Sequence, residues 1–172
     1  MGTSTFWFLP SQMSQATLMG RNCSNACTFI TLFMASTYIR STNRYILALY
    51  VGSPLNSSWI TLILSSIVCG NNAYDRVTLE IGSAFFSVAD AKANLVLGNL
   101  TLQDTISLSI TSTDPQIPKV LWNFNCRGWT ENLAALVITN GMTICFVGNN
   151  NKIYVLDSHP TPSDQCLERW LV

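Results

Sequence analysis

The stretch LAALVITNGMTICFVGNNNKIYVLDSHP, residues 133–160, decides the fold class. Its apolar residues fall into three runs: Leu133 to Thr139, Met142 to Val147 and Ile153 to Leu156. Asn140-Gly141 separates the first two. Both residues adopt positive φ readily, as a two-residue hairpin turn requires. Gly148-Asn149-Asn150-Asn151 separates the second run from the third. The pattern predicts an antiparallel meander.

Upstream the periodicity changes from two to about 3.6. A helix is expected from Ala26 to Ile39, with Ser24 and Asn25 as N-cap types. Phe29, Leu32, Phe33 and Ser36 share one face, and Cys27, Ile30 and Met34 another, so the helix is apolar nearly all round and belongs at the centre of a domain. Residues 42–51 read as a short second helix ended by Pro54. Residues 57–69 read as a third, with Gly70-Asn71-Asn72 as its C-cap and turn. Ser87 to Leu97 reads as a further helix, capped by Ser87 with Asp90 three positions on. Residues 104–110 alternate as a strand, and residues 1–26 read as an approach loop. Helices first and a meander last predict an α+β domain with one layer against the other. No linker or repeat divides the chain, so residues 1–172 form one domain.

Composition narrows the function. Nine basic and nine acidic residues cancel in this 172-residue chain. No basic stripe is present, so no nucleic-acid partner is expected. The longest apolar stretches, such as Ile60 to Val68, fall short of the roughly 20 residues a membrane span needs. Phe6-Trp7-Phe8-Leu9 has no basic flank and is not read as a signal peptide. Six cysteines occur, at 23, 27, 69, 126, 145 and 166. Most sit in apolar patterns, so free buried thiols in a reducing compartment are expected rather than three disulfides.

The single histidine, His159, follows the last run, two residues after Asp157. Alternate side chains of an extended segment point the same way. The carboxylate can therefore hold one imidazole nitrogen and leave the other outward, as a general base requires. Taken alone, Asp-Ser-His-Pro is also good turn composition. Cys27 opens the central helix, where the dipole and unpaired backbone N–H groups lower a thiol's pKa. Taken alone, it is also a small core residue. An oxyanion donor is needed upstream of the nucleophile. Gln15 is the first candidate and Gln12 the second. Cys23 and Cys27 are four apart and could share a helix face, but the other thiols show no paired spacing and a lone histidine gives no zinc signature; phosphate-loop and dinucleotide motifs are absent. No cofactor or metal is expected.

Gly20-Arg21-Asn22, then Ser24-Asn25-Ala26-Cys27-Thr28-Phe29-Ile30, and finally Leu156-Asp157-Ser158-His159-Pro160 resemble the deubiquitinase domain of herpesvirus large tegument proteins and its cellular and bacterial relatives, the viral-tegument-like deubiquitinases. The segment from Trp59 through Gly70-Asn71-Asn72-Ala73-Tyr74-Asp75 resembles animal members of such a group. The resemblance implies a papain-like fold. It also implies a triad of a cysteine with Asp157 and His159, a loop glutamine for the oxyanion, and cleavage of the isopeptide bond after the C-terminal Gly-Gly of ubiquitin. The viral proteins often show Gly-x-x-Cys, which Gly20 to Cys23 fits. Cys23 is thus the alternative nucleophile, although it would precede the helix.

The expected function is therefore a deubiquitinating cysteine protease with Cys27, His159, Asp157 and Gln15 at its site. Its expected partner is ubiquitin or polyubiquitin, its expected compartment intracellular, in the cytoplasm. A catalytically inactive ubiquitin-binding module of the same fold is the alternative. A small disulfide-bonded extracellular domain is the third reading.

Overall fold

The computed structural model describes residues 7–41, 53–98, 100–101, 133–139, 141–149 and 152–159. The expected 42–51 helix and 104–110 strand, together with Asn140, Cys126 and Cys166, lie outside the described residues.

Among the described residues, three α-helices precede three strands: α1 Cys27–Arg40, α2 Ser57–Ile81, α3 Val88–Ala93, β1 Ala134–Thr139, β2 Met142–Asn149 and β3 Lys152–Leu156. The strands form an antiparallel sheet in the order β1-β2-β3. This is the α+β arrangement that the meander predicts. Thr139 pairs with Met142, leaving a two-residue turn whose Gly141 has φ +74°.

α1 is the central element and packs against α2, α3 and β2. From Cys27 to Tyr38 only Phe33 and Thr37 are not buried. Two aromatic groups fix its ends. Tyr38 stacks on Trp59, Trp59 lies against Tyr154, and the Tyr38 hydroxyl donates to the Gly148 carbonyl at 2.5 Å. Nearer the N-terminus, Phe29, Tyr74 and Phe86 make edge contacts at 5.2 to 6.1 Å. Edge-to-face pairs are favourable because the ring edge is positive and the face negative.

α2 corrects the expected boundary. Gly70 and Asn71 lie inside the helix, which runs on to Ile81 and ends at Gly82, φ +74°, whose N–H bonds to the Thr78 carbonyl. Gly70 is there for packing. A Cβ at this position would stand 2.5 Å from Ile30 Cγ1 and 2.6 Å from Ile30 Cα. Only glycine lets α1 and α2 approach this closely, which offsets its weak helix propensity of about 1 kcal/mol.

α3 is shorter than the expected helix. Ser87 does cap it, accepting from the Asp90 N–H, but Asn94 ends it by donating from its side chain to the Asp90 carbonyl at 2.8 Å. Asn competes for backbone acceptors in this way. The N-cap of α1 is Ala26, not Ser24 or Asn25, and no side chain caps that helix. Cys23, Cys27, Cys69 and Cys145 are free. Cys27 and Cys145 are buried, whereas Cys23 and Cys69 are exposed, contrary to the burial expected of the thiols as a group. Among the described residues no helix is long and apolar enough to cross a membrane.

Candidate active site

Cys27 is the first residue of α1, and its sulfur faces the start of β2. The Thr143 hydroxyl lies 3.7 Å from Sγ and the Gly141 carbonyl 3.9 Å from it. The sheet register places Thr143 beside the hairpin turn, opposite Ile138. The site is therefore assembled where the N-terminus of the central helix meets the tip of the β1–β2 hairpin.

His159 arrives from the end of β3. Its Nδ1 lies 2.5 Å from Asp157 Oδ1, and its backbone N–H donates to the same oxygen at 2.9 Å. One carboxylate oxygen thus fixes both the ring and the main chain that carries it. With Nδ1 committed to Asp157, the other ring nitrogen is left for Cys27, and imidazole and thiol act on each other electrostatically. Asp157 thus holds the imidazole that acts on the Cys27 thiol.

The electrostatics follow from this geometry. Burial raises the pKa of the Cys27 thiol, but hydrogen bonds from His159 and from the Thr143 side chain and backbone outweigh it, and the thiol lies below its ordinary value. Burial also disfavours the His159 imidazolium. The bonds to Asp157 and Cys27 reverse this and raise its pKa to about 9. Both shifts move the pair towards thiolate and imidazolium. Cys145 shows what burial does without donors: its thiol is pushed up to about 12.

Gln15 is 3% exposed and lies between the two arms of the site. Its backbone N–H donates to the Ser158 carbonyl at 2.8 Å, and its Oε1 accepts from the Ser158 hydroxyl at 2.8 Å. Its Nε2 donates to the Ser24 carbonyl at 3.1 Å. Gln15 therefore ties the residue between Asp157 and His159 to the loop just before Cys27. One amide N–H goes to Ser24, and a second remains to the group. Gln12 is exposed on the 3-10 turn Ser11–Met13 and has no such link. Cys23 is exposed before the helix, and no contact joins it to His159.

The sequence reading missed the residues that hold this loop. Asn71 is 3% exposed on α2; it donates to the Gln15 carbonyl at 3.0 Å and accepts from the Ser24 hydroxyl at 2.6 Å. Ser24 also accepts from the Ala26 N–H, so its hydroxyl joins the loop to α2. Arg21 makes a two-pronged pair with Asp75 at 2.6 and 2.7 Å. Hydrogen bonding across that pair raises the Arg21 pKa and lowers that of Asp75. The stretch from Gly70 to Asp75 thus supports the loop from Gln15 to Ala26. Thr143 had a sequence signal: it is a polar residue in an apolar run, with the same parity as the buried Cys145 and Val147.

No family model, curated protein or solved structure matches the chain.

Proposed function

We propose that the chain is a cysteine-type isopeptidase of papain-like fold that cleaves after the C-terminal Gly-Gly of ubiquitin. The observation that carries the thiol-hydrolase reading is the series Asp157–His159–Cys27, with the thiol below its ordinary pKa and the imidazole above. A buried helix beginning with the nucleophile, and a base at the end of a late antiparallel strand, support the papain-like reading. The ubiquitin assignment rests on the resemblance of Ser24 to Ile30 and of Leu156 to Pro160 to the viral-tegument-like deubiquitinases. Free thiols at four positions suit a reducing intracellular compartment such as the cytoplasm.

The Cys27 thiolate attacks the carbonyl carbon of the terminal glycine. The oxyanion that forms is held by the remaining Gln15 amide N–H and the backbone N–H of Cys27. His159 gives its proton to the departing lysine amine, leaving a thioester. The neutral imidazole then takes a proton from water, which attacks the thioester and releases the ubiquitin carboxylate. Asp157 keeps Nδ1 protonated throughout. The substrate tail enters between the helical layer and the hairpin, and its glycines suit the narrow approach to a cysteine that is 5% exposed.

Reaction with a ubiquitin bearing a thiol-reactive C-terminal group tests this. One adduct at Cys27 is expected, lost in Cys27→Ala and retained in Cys23→Ala. An adduct at Cys23 would move the nucleophile. No adduct, with ubiquitin still bound, would favour the non-catalytic binding module of the same fold.

A further inference from the structure

The surroundings of Cys27 differ in what they offer its two protonation states. The Gly141 carbonyl, 3.9 Å from Sγ, can only accept, so it serves the thiol and not the thiolate. Ionised sulfur needs donors. Among the described residues, the only side chain besides His159 within reach is Thr143, whose hydroxyl lies 3.7 Å from Sγ. That hydroxyl is also 2.8 Å from the Thr28 hydroxyl, and the two threonines are 1% and 7% exposed.

Buried hydroxyls without partners are costly, so this pair must satisfy itself. Two arrangements do so. With a neutral thiol, the S–H donates to Thr143 Oγ1, and the Thr143 hydroxyl donates to Thr28. With a thiolate, both hydroxyls turn: Thr28 donates to Thr143 Oγ1, and Thr143 donates to sulfur. The second arrangement gives the anion a charge-assisted bond. A helix–sheet contact needing only to be filled would accept valine at both positions.

We infer that Thr143 is a hydrogen-bond donor to the Cys27 thiolate, and that Thr28 is a positioning residue that keeps the Thr143 hydroxyl turned towards sulfur. The inference rests on the reading of Cys27 as the nucleophile and adds two residues to that site. The titratable groups acting on the sulfur are His159 and, behind it, Asp157; β2 contributes only Thr143 and backbone there.

The test is the rate of Cys27 alkylation by iodoacetamide, followed by mass spectrometry from pH 4 to pH 10 in the full chain. Thr143→Val, which keeps the shape and removes the hydroxyl, should move the midpoint up by about one pH unit and lower the rate at pH 6 about tenfold. Thr143→Ser should restore the wild-type midpoint. Thr28→Val should shift it the same way by less, about threefold in rate at pH 6. The rate at pH 10, above the Cys27 midpoint of every variant, should be equal in all of them. A wild-type midpoint in folded Thr143→Val overturns the inference. If that variant does not fold, Thr28→Val decides, and an unchanged midpoint there overturns it equally. Cys27 alkylating no faster than Cys23 in the wild type would defeat the nucleophile reading instead, a result separable from any difference between variants.

Discussion

Replacing Asp157 with asparagine separates charge from geometry at the site. The Asn Oδ1 can still accept from both N–H groups of His159 that Asp157 now holds, at 2.5 and 2.9 Å, so the ring keeps its place. What is lost is the charge. The imidazolium lies at about 9 against an ordinary 6.5. This is a net stabilisation of about 3 kcal/mol, shared between Asp157 and the Cys27 sulfur after burial has acted against it. If Asp157 carries about half, its charge is worth about 1.5 kcal/mol, or one pH unit. In the proposed mechanism, activity needs thiolate and imidazolium together. It therefore rises with pH through the lowered Cys27 pKa and falls as pH passes that of His159. In Asp157→Asn the alkaline limb should move from about 9 to about 8, with the thiolate less favoured at pH 6 and kcat/KM reduced at least tenfold. The raised His159 pKa also stabilises the fold. That contribution is complete below pH 6.5 and is lost as pH rises through about 9, so the variant should lose most stability on the acid side. Hydrolysis of a ubiquitin C-terminal fluorogenic amide from pH 5 to pH 10, beside urea denaturation at pH 6 and pH 9.5, gives all three values. An unmoved alkaline limb with kcat/KM within twofold would make Asp157 a turn residue and refute the reasoning.

Gln15→Ala should lower kcat roughly 10²-fold. Unlike a pure oxyanion donor, it should also lower stability, because Ser158 and Ser24 lose their common partner; Gln12→Ala should change neither, and a loss of kcat there would transfer the oxyanion role. Gly70→Ala should destabilise the chain by about 2 kcal/mol in urea, since the clash with the Ile30 backbone exceeds the gain in helix propensity; a stabilised variant would refute the close helix contact. Gly141→Ala meets open space but must hold φ +74°, so about 1 kcal/mol of stability should be lost. The Gly141 carbonyl faces Cys27, so Cys27 alkylation should change as well; an unaltered rate would place the turn away from the sulfur.

The meander and the central helix were legible because their signals are local. Asn-Gly between apolar runs specifies a hairpin through backbone conformation alone, and a helix apolar on every side can only be buried. Asp157 and His159 were legible for the same reason, being two residues apart at a strand end. Gly70 was not. Gly-Asn-Asn ends a helix whenever nothing else uses it, and here Ile30 of another helix uses the glycine while Gln15 and Ser24 use the asparagine. Tertiary contact overrode a sound local preference. Ser24 shows the same conflict: a good N-cap residue gives its hydroxyl to Asn71, and α1 starts at Cys27 after Ala26, which leaves its first turn without a side-chain cap. No property of residues 24 to 27 alone could announce a partner on α2.

Those two departures have one consequence for the chemistry. A nucleophile benefits from backbone N–H groups that no side chain has claimed. A serine capping α1 in the ordinary way would occupy them. Moving the Ser24 hydroxyl to Asn71 leaves the first turn of α1 open beside Cys27, while the same asparagine holds the Gln15 main chain. The position of Gln15 is then fixed from three sides: by Asn71, by Ser24 and by Ser158. Because Ser158 lies between Asp157 and His159, any shift of the Gln15 loop moves His159, the proposed base, as well as the proposed oxyanion donor. Asn71→Ala should therefore lower kcat less than Gln15→Ala does and leave the alkaline limb of the pH profile at about 9, because the Asp157–His159 bond is local and moves with the segment as a unit; an alkaline limb displaced in Asn71→Ala would refute this coupling.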